Sequence, residues 1–446
     1  MWKHHTAMLA LIVILCHGIP VNAQDTAAHP FPAKWSLQDC LDYALKNNIA
    51  INTARLNQRQ ADQDLLLARA GVLPNLTGNA SDYLTFQKRI NSSGNYGNRG
   101  FSESGTYGLN SAVTIYQGGY IRNTIREKQL YQQAAGLDIL ENENDITLNV
   151  TQDFLNILLA RENIVYFQDL LNTSQSQVDQ AKQKYNVGSI ALKDLVELQA
   201  QTANDKYSLV TAQNTHRQNI IALKLLLQLP SEVPFQALEP DTLIAKNAVT
   251  ALTATQQEAL SIRPEIKLSD KQVDIARTDL QLARSNYLPV LQGTGSIGAS
   301  HSGGDPGVFQ QLDNAFYQQI GLTLSVPIFT RRAARTSVEK ARIQVEQTEL
   351  NRKNTRNNLE LTIEQAYVAV ENAQGQYDAS VEQVQYTKEA YRIAGEQLKV
   401  GAITTVDYLI QRNLYTQAYQ QYIQAKYNAA LTIRIYDFYR GVPVKL

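Results

Sequence analysis

A long heptad pattern that occurs twice constrains the fold more than any other feature of the chain. Within the predicted helix at 117–185, read in sevens from Ile146, a large residue returns every seventh position, and a mostly small residue stands four positions before it. Alternate spacings of three and four are typical of a coiled-coil seam. The large positions are Val150, Ile157, Ile164, Leu171, Val178 and Tyr185, and in residues 330–398 they are Ile363, Val370, Tyr377, Val384, Tyr391 and Leu398.

Helices of this length cannot pack inside an ordinary domain. About 70 helical residues span roughly 100 Å, which is several times the width of a globule. The second pattern is in the same heptad phase as the first, with Ile363 in the place of Val150. We therefore expect a tandem repeat built around two very long helices.

Residues 1–23 have the pattern of a secretory signal peptide. Lys3 precedes an apolar core from Ala7 to Leu15, and Val21-Asn22-Ala23 is a small-residue cleavage site. The core is too short for a membrane-spanning helix. If the leader were that of a lipoprotein, Cys16 would carry the lipid, but Leu15 stands before it where a small residue is expected.

The mature chain divides into two halves and a connector. The first half is residues 24–229, the connector with its three prolines is 230–254, and the second half is 255–446. The first half should contain a short helix from Trp35 to Asn48 with Ser36 as its N-cap, a second helix from about Ile51 to Val72, a β-hairpin at about 74–116, a long helix at 117–187 and a return helix at 190–229. The second should contain a helix without a preceding short one, a hairpin at about 289–328, a long helix at 330–398, a return helix at 403–438 and a short tail.

Composition excludes several classes of protein. The 41 basic and 41 acidic residues balance, whereas a nucleic-acid-binding protein needs a basic surface. Cleavage leaves one cysteine, Cys40, within a helical apolar pattern that predicts a buried small residue. Three histidines remain, and His29, His216 and His301 are too far apart to show metal-ligand spacing. We predict no metal, cofactor or catalytic residue.

The period of the pattern changes to two after each Leu-Pro pair, at Leu73-Pro74 and Leu288-Pro289. Proline ends a helix, and the alternating residues that follow are typical of strands. Residues 90–103, rich in Asn, Ser and Gly, are expected to form a flexible polar loop. Gly293 to Gly298 lies within a strand pattern, where glycines indicate close packing or a bend.

Two interpretations of the hairpins remain open. They form either a small soluble sheet or part of a transmembrane barrel, whose strands are about 9–11 residues long with alternating faces. Four strands cannot close a barrel wide enough for a pore. Since strand edges cannot be left open in lipid, the second interpretation requires several copies of the chain.

Each long helix ends at a similar turn, Val187-Gly188-Ser189 and Val400-Gly401-Ala402. Glycine at this place favours a left-handed helix stop. Asp194 and Asp407 each stand six residues after their glycine. A first-turn acid or an N-terminal cap is one explanation of both, because the helix dipole favours negative charge there.

The order of these elements resembles the TolC-like outer-membrane efflux proteins. Ser36 to Asn48 is similar to the family's opening helix, Ala68 to Pro74 to the entry of its first strand, and the Val-Gly pairs to its tip turns. Gly118-Gly119 and Pro327-Ile328-Phe329 each carry half of the junction motif. The resemblance covers nearly all of the mature chain.

This resemblance implies a homotrimer in the outer membrane, extending into the periplasm. Four strands per chain would give a twelve-stranded barrel continuous with a twelve-helix tunnel, an α+β membrane protein. The turns would meet a periplasmic adaptor protein and, through it, an inner-membrane pump of the RND or ABC type. Residues 230–254 and the short helices would form a belt around the tunnel.

The resemblance also implies a gate at the tip. Tyr185 would be the gate aromatic, and Asp194 and Asp407 would help to form the closed tip. From their identical place after the two Val-Gly turns, we hypothesise that both aspartates line the constriction and favour cations. Some members of the family have an arginine at the position of Ile403. Without that arginine, the tip of this chain lacks one partner of the charged links that close the tip in those members. The exit duct would carry small compounds in an efflux system or polypeptides in a type I secretion system. A protein of another class, a non-conducting periplasmic coiled-coil scaffold, is the alternative. The sequence does not identify the transported compound.

Overall fold

The computed structural model describes residues 31–90, 96–240, 243–302 and 308–444. The predicted signal peptide, with Cys16, and His29 lie outside the described residues. In the described part the chain is mostly helical, with one four-stranded antiparallel sheet. No helix among these residues combines the length and the apolar character needed to cross a lipid bilayer.

The elements follow the same order in both halves, except that among the described residues only the second half has a helix between its two strands. The first half contains α1 (Leu37–Asn47), α2 (Ile49–Ala70), β1 (Thr77–Ile90), β2 (Tyr96–Gln117), α3 (Tyr120–Asn186) and α4 (Leu192–Leu227). The second half contains α5 (Leu252–Ile262), α6 (Pro264–Ser285), β3 (Val290–Ser302), α7 (Val308–Asn314), β4 (Tyr317–Ser325), α8 (Ala333–Lys399) and α9 (Thr405–Tyr439).

The first short helix begins at a capping box. The Ser36 hydroxyl accepts a hydrogen bond from the Asp39 amide at 3.1 Å, and the Asp39 carboxylate accepts one from the Ser36 amide at 3.0 Å. Both otherwise unpaired backbone donors are thereby satisfied. A single residue, Asn48, separates α1 from α2, and its side-chain oxygen accepts a hydrogen bond from the Ala50 amide at 2.8 Å.

The second half does have a counterpart of the first short helix, so the prediction that it lacks one is wrong. Leu252–Ile262 and Leu37–Asn47 are both 11 residues long, and one residue separates each from the helix that follows. Arg263 joins α5 to α6 with φ −65° and ψ 132°, nearly the values of Asn48 at φ −60° and ψ 134°. Pro264 is the first residue of α6, a position where its missing N–H costs nothing.

The sheet has the order β1-β2-β3-β4, and every neighbouring pair is antiparallel. Of the loop predicted at 90–103, residues 91–95 lie outside the described residues and the rest is strand, because β2 begins at Tyr96 and pairs with β1 up to Ile90. Backbone pairing outweighs the polar composition here, and Phe86 and Phe101 face each other with ring centroids 4.8 Å apart. Gly293 to Gly298 lies inside β3, as predicted.

The two faces of the sheet differ in chemistry. One face carries large apolar side chains that this chain leaves exposed, with Ile320 94% exposed at the extreme. The opposite face carries small hydroxyl and amide side chains, such as Ser81 bonded to Thr106 at 2.8 Å. The apolar set is Leu84, Phe86, Phe101, Leu109, Ile297, Ile320, Leu322 and Leu324.

Left-handed residues connect the sheet to the long helices in both halves. Gly118 and Gly119 have φ of 57° and 77°, and Arg331 and Arg332 have φ of 46° and 70°. Only glycine adopts such values without strain. At Gly118 packing adds a second requirement, since an added Cβ would lie 2.5 Å from the Leu288 Cβ.

The largest apolar core lies around the middle of α3, where the short helices and the connector meet the long ones. Trp35 is 1% exposed, and its backbone exchanges hydrogen bonds with Gln236 and Leu238 of the connector at 2.8 and 2.7 Å. Its partners include Leu41, Val150, Phe154, Ile157, Leu158, Leu223, Leu227 and Phe438. Cys40 is fully buried in this core, as its helical pattern predicts.

Candidate functional site

The two turns that end the long helices have the same hydrogen-bond pattern. The Gly188 amide donates to the Tyr185 carbonyl at 2.8 Å, and the Ser189 amide donates to the Lys184 carbonyl at 2.8 Å. These two bonds make a Schellman motif, which closes the helix end. In the second turn the Gly401 amide donates to Leu398 at 3.2 Å and the Ala402 amide to Gln397 at 2.8 Å.

Both turn glycines are required because of their backbone conformation, and not because a side chain would clash there. Gly188 and Gly401 each have φ of 74°, and no atom of the described residues lies within 4 Å of the Cβ that either would carry. Val187 and Val400 beside them are each 79% exposed. The turns therefore present a matched pair of apolar side chains with free space around them in this chain.

Asp407 takes part in a capping box. Its carboxylate accepts hydrogen bonds from the Thr404 hydroxyl at 2.7 Å and from the Thr404 amide at 3.2 Å, and its own amide donates to that hydroxyl at 3.2 Å. These bonds hold the pKa of the Asp407 carboxyl below its usual value. The structure thus contains the helix-capping arrangement that the sequence offered as one explanation of this residue.

Asp194 has the same place in its helix but different surroundings. Ala191 stands at the N-cap and has no side-chain oxygen, so α4 lacks the capping box of α9. Asp194 instead lines a cleft of about 190 Å³ between the two turns. The cleft is also lined by Gln177, Lys184, Leu398, Lys399 and Tyr408.

Tyr185 lies on the last turn of α3 and is 40% exposed. Its counterpart in the second half is Leu398, so an aromatic ring occurs at one of the two turns only.

Ile403 is half-buried, and its counterpart Ile190 packs against an apolar cluster with Leu195 and Leu198. The first turn is therefore supported from inside by apolar contacts.

Sequence analysis did not identify Tyr408 as part of this region. The ring is 3% exposed, its hydroxyl lies 3.0 Å from the Tyr391 hydroxyl, and it accepts a hydrogen bond from the Gln177 side chain of α3. Burial, followed by the Tyr391 hydroxyl, raises the pKa of the Tyr408 phenol. Tyr408 thereby connects the second turn to the long helix of the first half.

A buried ion pair joins the two return helices above the turns. Arg412 is fully buried on α9, and its Nη2 donates to the Asp205 Oδ2 on α4. Gln201 donates to the other Asp205 oxygen at 3.0 Å. The signal in the sequence was a lone acid and a lone base within otherwise uncharged helix faces, but only the structure brings the two together.

Stacked tyrosines extend from Tyr408 along α8 and α9. Tyr391 lies 5.6 Å from Tyr415, and Tyr419 stacks on Tyr166 of α3 with centroids 4.4 Å apart. The sequence has 23 tyrosines and 10 phenylalanines, which gave a compositional signal without a location. The rings make aromatic contacts between the two halves.

A groove of about 940 Å³ lies along the long helices away from the turns. All four long helices contribute to it, and none of its lining residues is acidic, basic or histidine. Its polar groups are mainly amides, among them Gln376, Gln383, Gln420, Gln421, Gln424 and Asn428. Such a surface can hydrogen-bond a solute but offers no group for proton transfer at neutral pH.

Comparison with known proteins matches both halves. The sequence model of the family described as outer membrane efflux protein matches residues 40–228 and 255–433. Outer membrane protein TolC of Escherichia coli (strain K12) is 25% identical over 401 residues, which cover 85% of this chain and 77% of TolC. The proteases secretion protein PrtF of Dickeya chrysanthemi is 21% identical over 412 residues, covering 88% of this chain and 85% of PrtF.

The fold is also that of a solved channel. The crystal structure of the Campylobacter jejuni CmeC outer membrane channel matches with a TM-score of 0.74 at 23% identity. The match covers 89% of this chain and 84% of CmeC. At this level of identity the likeness shows a shared fold.

Proposed function

Because this chain belongs to the outer membrane efflux protein family, we propose that it forms a trimeric exit duct whose tip turns receive a periplasmic adaptor. Members of this family are passive outer-membrane channels and not enzymes. The chain is an outer-membrane protein, and its function is that of the exit duct of a tripartite efflux system. The trimer, the barrel, the gate and the type of pump are the parts that we propose.

The two-faced sheet is the observation that carries this proposal. Its apolar face is exposed, its other face is polar, and within the described chain β1 and β4 each have one neighbour only. Unpaired backbone groups cannot be left in lipid, so the edges need partners from other chains. Three copies supply twelve strands, enough to enclose a passage lined by the polar face.

The long helices support the same assembly. Each pairs with its return helix, yet large apolar side chains of both long helices remain exposed in one chain. Neighbouring chains would cover them, because a helix in a closed tunnel has a neighbour on either side. Exposed examples are Leu140 and Val165 on α3 and Ile343, Leu350, Leu361 and Val368 on α8.

The turns are the proposed docking surface for the adaptor, and through it for an inner-membrane pump of the RND or ABC type. At each turn an exposed valine stands beside a glycine that has free space around it. A helical partner can cover these small apolar surfaces. The docking residues are Val187, Gly188, Ser189, Val400, Gly401 and Ala402.

The proposed gate consists of Tyr185, Asp194 and Asp407. Asp194 supports this role better than Asp407, since its carboxylate lines a cleft and has no capping partner, whereas Asp407 is held by Thr404. Acidic side chains at a constriction favour cations over anions. With Ile403 in place of a base, closure would depend on the apolar contacts and on Tyr408.

Two measurements on the purified chain test the duct. Light scattering in detergent should give the mass of three chains, and planar bilayers should show discrete cation-selective conductance. Replacing Asp194 by Asn should lower cation selectivity more than replacing Asp407 by Asn, and Asp378→Asn, on the exposed side of α8, should leave it unchanged. A monomer without conductance, found in the soluble periplasm, would support the scaffold instead.

Export of polypeptides is the second candidate, and the similarity to a proteases secretion protein favours keeping it. The two can be separated in cells that lack their own duct. Restored dye efflux with an RND-type pump supports the first function, while restored protein secretion with an ABC-type pump supports the second.

A further inference from the structure

A histidine and two carboxylates meet on the apolar face of the sheet. Asp82 on β1, Glu103 on β2 and His301 on β3 each place a ligand atom within 4.8 Å of the other two. We propose that these three side chains bind one divalent transition-metal ion of the class represented by Zn²⁺. The site lies on the sheet and includes none of the residues proposed for the gate or the tip turns.

The strand register builds this group. Asp82 pairs with Gly105, and Gly105 pairs with His301, so the three residues form one row across three strands. Directly paired residues share a face, and residues two apart on a strand do too. Glu103 therefore projects from the same face as its neighbour Gly105. Asp82 and His301 belong to different halves of the chain, which hid the group in the sequence.

His301 is the observation that indicates a ligand. It is 5% exposed, and neither ring nitrogen has a hydrogen-bond partner among the described residues. Its Nε2 lies 3.7 Å from the Asp82 Oδ1, which is too long for a hydrogen bond. Buried polar atoms nearly always have partners, so two unpaired nitrogens beside two carboxylates leave room for a cation.

Two neighbours position the group. A Cβ at Gly105 would lie 2.3 Å from the His301 Cε1 and 2.7 Å from its Nδ1, so the ring occupies space that only glycine leaves free. The Tyr107 hydroxyl donates to the Asp82 Oδ2 at 3.0 Å and leaves Oδ1 directed at the histidine. A hydrogen bond that orients a liganding carboxylate is typical of metal sites.

The ligand set selects the class of ion. One imidazole nitrogen with carboxylate oxygens suits Zn²⁺ and its neighbours, whereas Mg²⁺ and Ca²⁺ prefer oxygen ligands alone. Around tetrahedral Zn²⁺, with bonds of about 2.1 Å, ligand atoms stand about 3.4 Å apart. Asp82 and Glu103 are exposed and can close that gap by side-chain rotation. Water would take the fourth position.

The surroundings add an electrostatic reason, which rests on the proposed barrel. Charged side chains on a lipid-facing surface are costly, and a divalent cation would neutralise the two carboxylates. His301 lies eleven residues beyond Val290, the first residue of β3. At about 3.3 Å per residue and a tilt of about 40° this is a height of about 28 Å, near the edge of an apolar band about 25 Å tall.

Titration calorimetry of the metal-free, full-length protein in detergent tests the site with Zn²⁺ itself. We expect one Zn²⁺ per chain, no comparable heat with Mg²⁺, and at least about tenfold weaker binding in Asp82→Asn and His301→Gln. His216→Gln removes the other described histidine, on α4, and should bind Zn²⁺ as the unaltered protein does. Equal affinity in all variants overturns the proposal.

Two further variants keep every ligand. Gly105→Ala should displace the His301 ring, and Tyr107→Phe should free the Asp82 carboxylate; each should weaken Zn²⁺ binding by about tenfold or more. For the unaltered protein, pulsed electron paramagnetic resonance of bound Cu²⁺ should show one imidazole nitrogen. A spectrum without imidazole, or a histidine–aspartate ion pair that binds no Zn²⁺, overturns the site. A conducting trimer that binds no Zn²⁺ would refute this site and leave the duct intact.

Discussion

At the scale of single residues, the two tip aspartates show how one hydroxyl changes the role of a side chain. Asp194 and Asp407 are both the third residue of a return helix. Thr404 bonds the second of them, while Ala191 leaves the first without a capping partner. Asp194 is therefore the one of the two that has no capping bond and lines the cleft.

Exchanging the two N-cap residues should shift stability in opposite directions. Thr404→Ala removes the cap of α9 and should cost about 1 kcal/mol of the free energy of unfolding, and Ala191→Thr should add a similar amount at α4. Denaturant unfolding in detergent measures both. If Ala191→Thr proves neutral while Thr404→Ala destabilises, the first turn does not adopt the cap geometry of the second.

Acidification should loosen the second turn. The Asp407 carboxyl has a lowered pKa in the folded chain, so its contribution is fully present above the ordinary value of about 3.9 and is lost as the pH falls through the folded value. Limited proteolysis near Gly401 should therefore accelerate below about pH 4. The Asp407→Asn variant should be cleaved at a rate that depends less on pH. A variant with the same pH profile as the unaltered protein would show that the Asp407 carboxylate does not control this turn.

Removing one partner of the buried ion pair should lower the free energy of unfolding far more than removing both partners. Arg412→Met leaves the Asp205 carboxylate buried without its cation and should cost about 3–5 kcal/mol of unfolding free energy. The double variant Asp205→Leu, Arg412→Met should recover most of that loss. Equal losses in the single and double variants would mean that the pair contributes through shape and not through charge.

At the scale of elements, the fold depends on where each helix stops. Two Schellman turns end helices of 67 residues, and both return helices begin within a few residues of them. The glycines in these turns are exposed, and an added Cβ would meet no other described residue, so they contribute through their left-handed backbone and its hydrogen bonds.

Alanine at the turn glycines should destabilise through φ alone. Gly188→Ala and Gly401→Ala should each cost about 1–2 kcal/mol, because a left-handed residue with a Cβ is strained. Gly375, inside α8, has equally open space but an ordinary helical backbone, so Gly375→Ala should gain about 0.5–1 kcal/mol. Thermal unfolding of the three variants checks the order, and a loss at Gly375 would reveal a contact with another chain.

At the scale of the whole molecule, one chain is an incomplete object. Among the described residues its sheet ends in two unpaired edges and shows an apolar face, and its long helices leave apolar side chains uncovered. These exposed surfaces are the physical reason to expect assembly, since burying them stabilises a complex by roughly 25 cal/mol per Å².

Disulfide cross-linking should detect β1 beside β4 of a neighbouring chain. The native thiol will not interfere, because burial raises the pKa of Cys40 to about 12. A cysteine at Gln319 on β4, combined in turn with one at Asn79, Ser81 or Tyr83 on β1, should give cross-linked chains at one of these positions. Ser102→Cys, on the interior strand β2, should give none. Monomers in every combination would argue against a shared barrel.

Much of the architecture followed from local signals. Heptads, Leu-Pro stops, Val-Gly turns and the Ser36 N-cap each act over a few residues, so the order of elements could be deduced from the chain. Two errors arose where local signals mislead. The second half contains a short helix, α5, that the pattern did not indicate, and residues 96–103 are polar but paired as strand. Long-range pairing decided the second case.

The sequence by itself determined the repeat, the long helices and the alternating strands, because periodicity and backbone stops are local properties. Only the tertiary structure decided which side chains meet across the halves. Asp205 with Arg412, Gln177 with Tyr408, and Asp82 with His301 each join a residue of the first half to one of the second. Helix packing and strand register bring these groups together. Both depend on two distant segments at once, so the pattern of one segment cannot predict them.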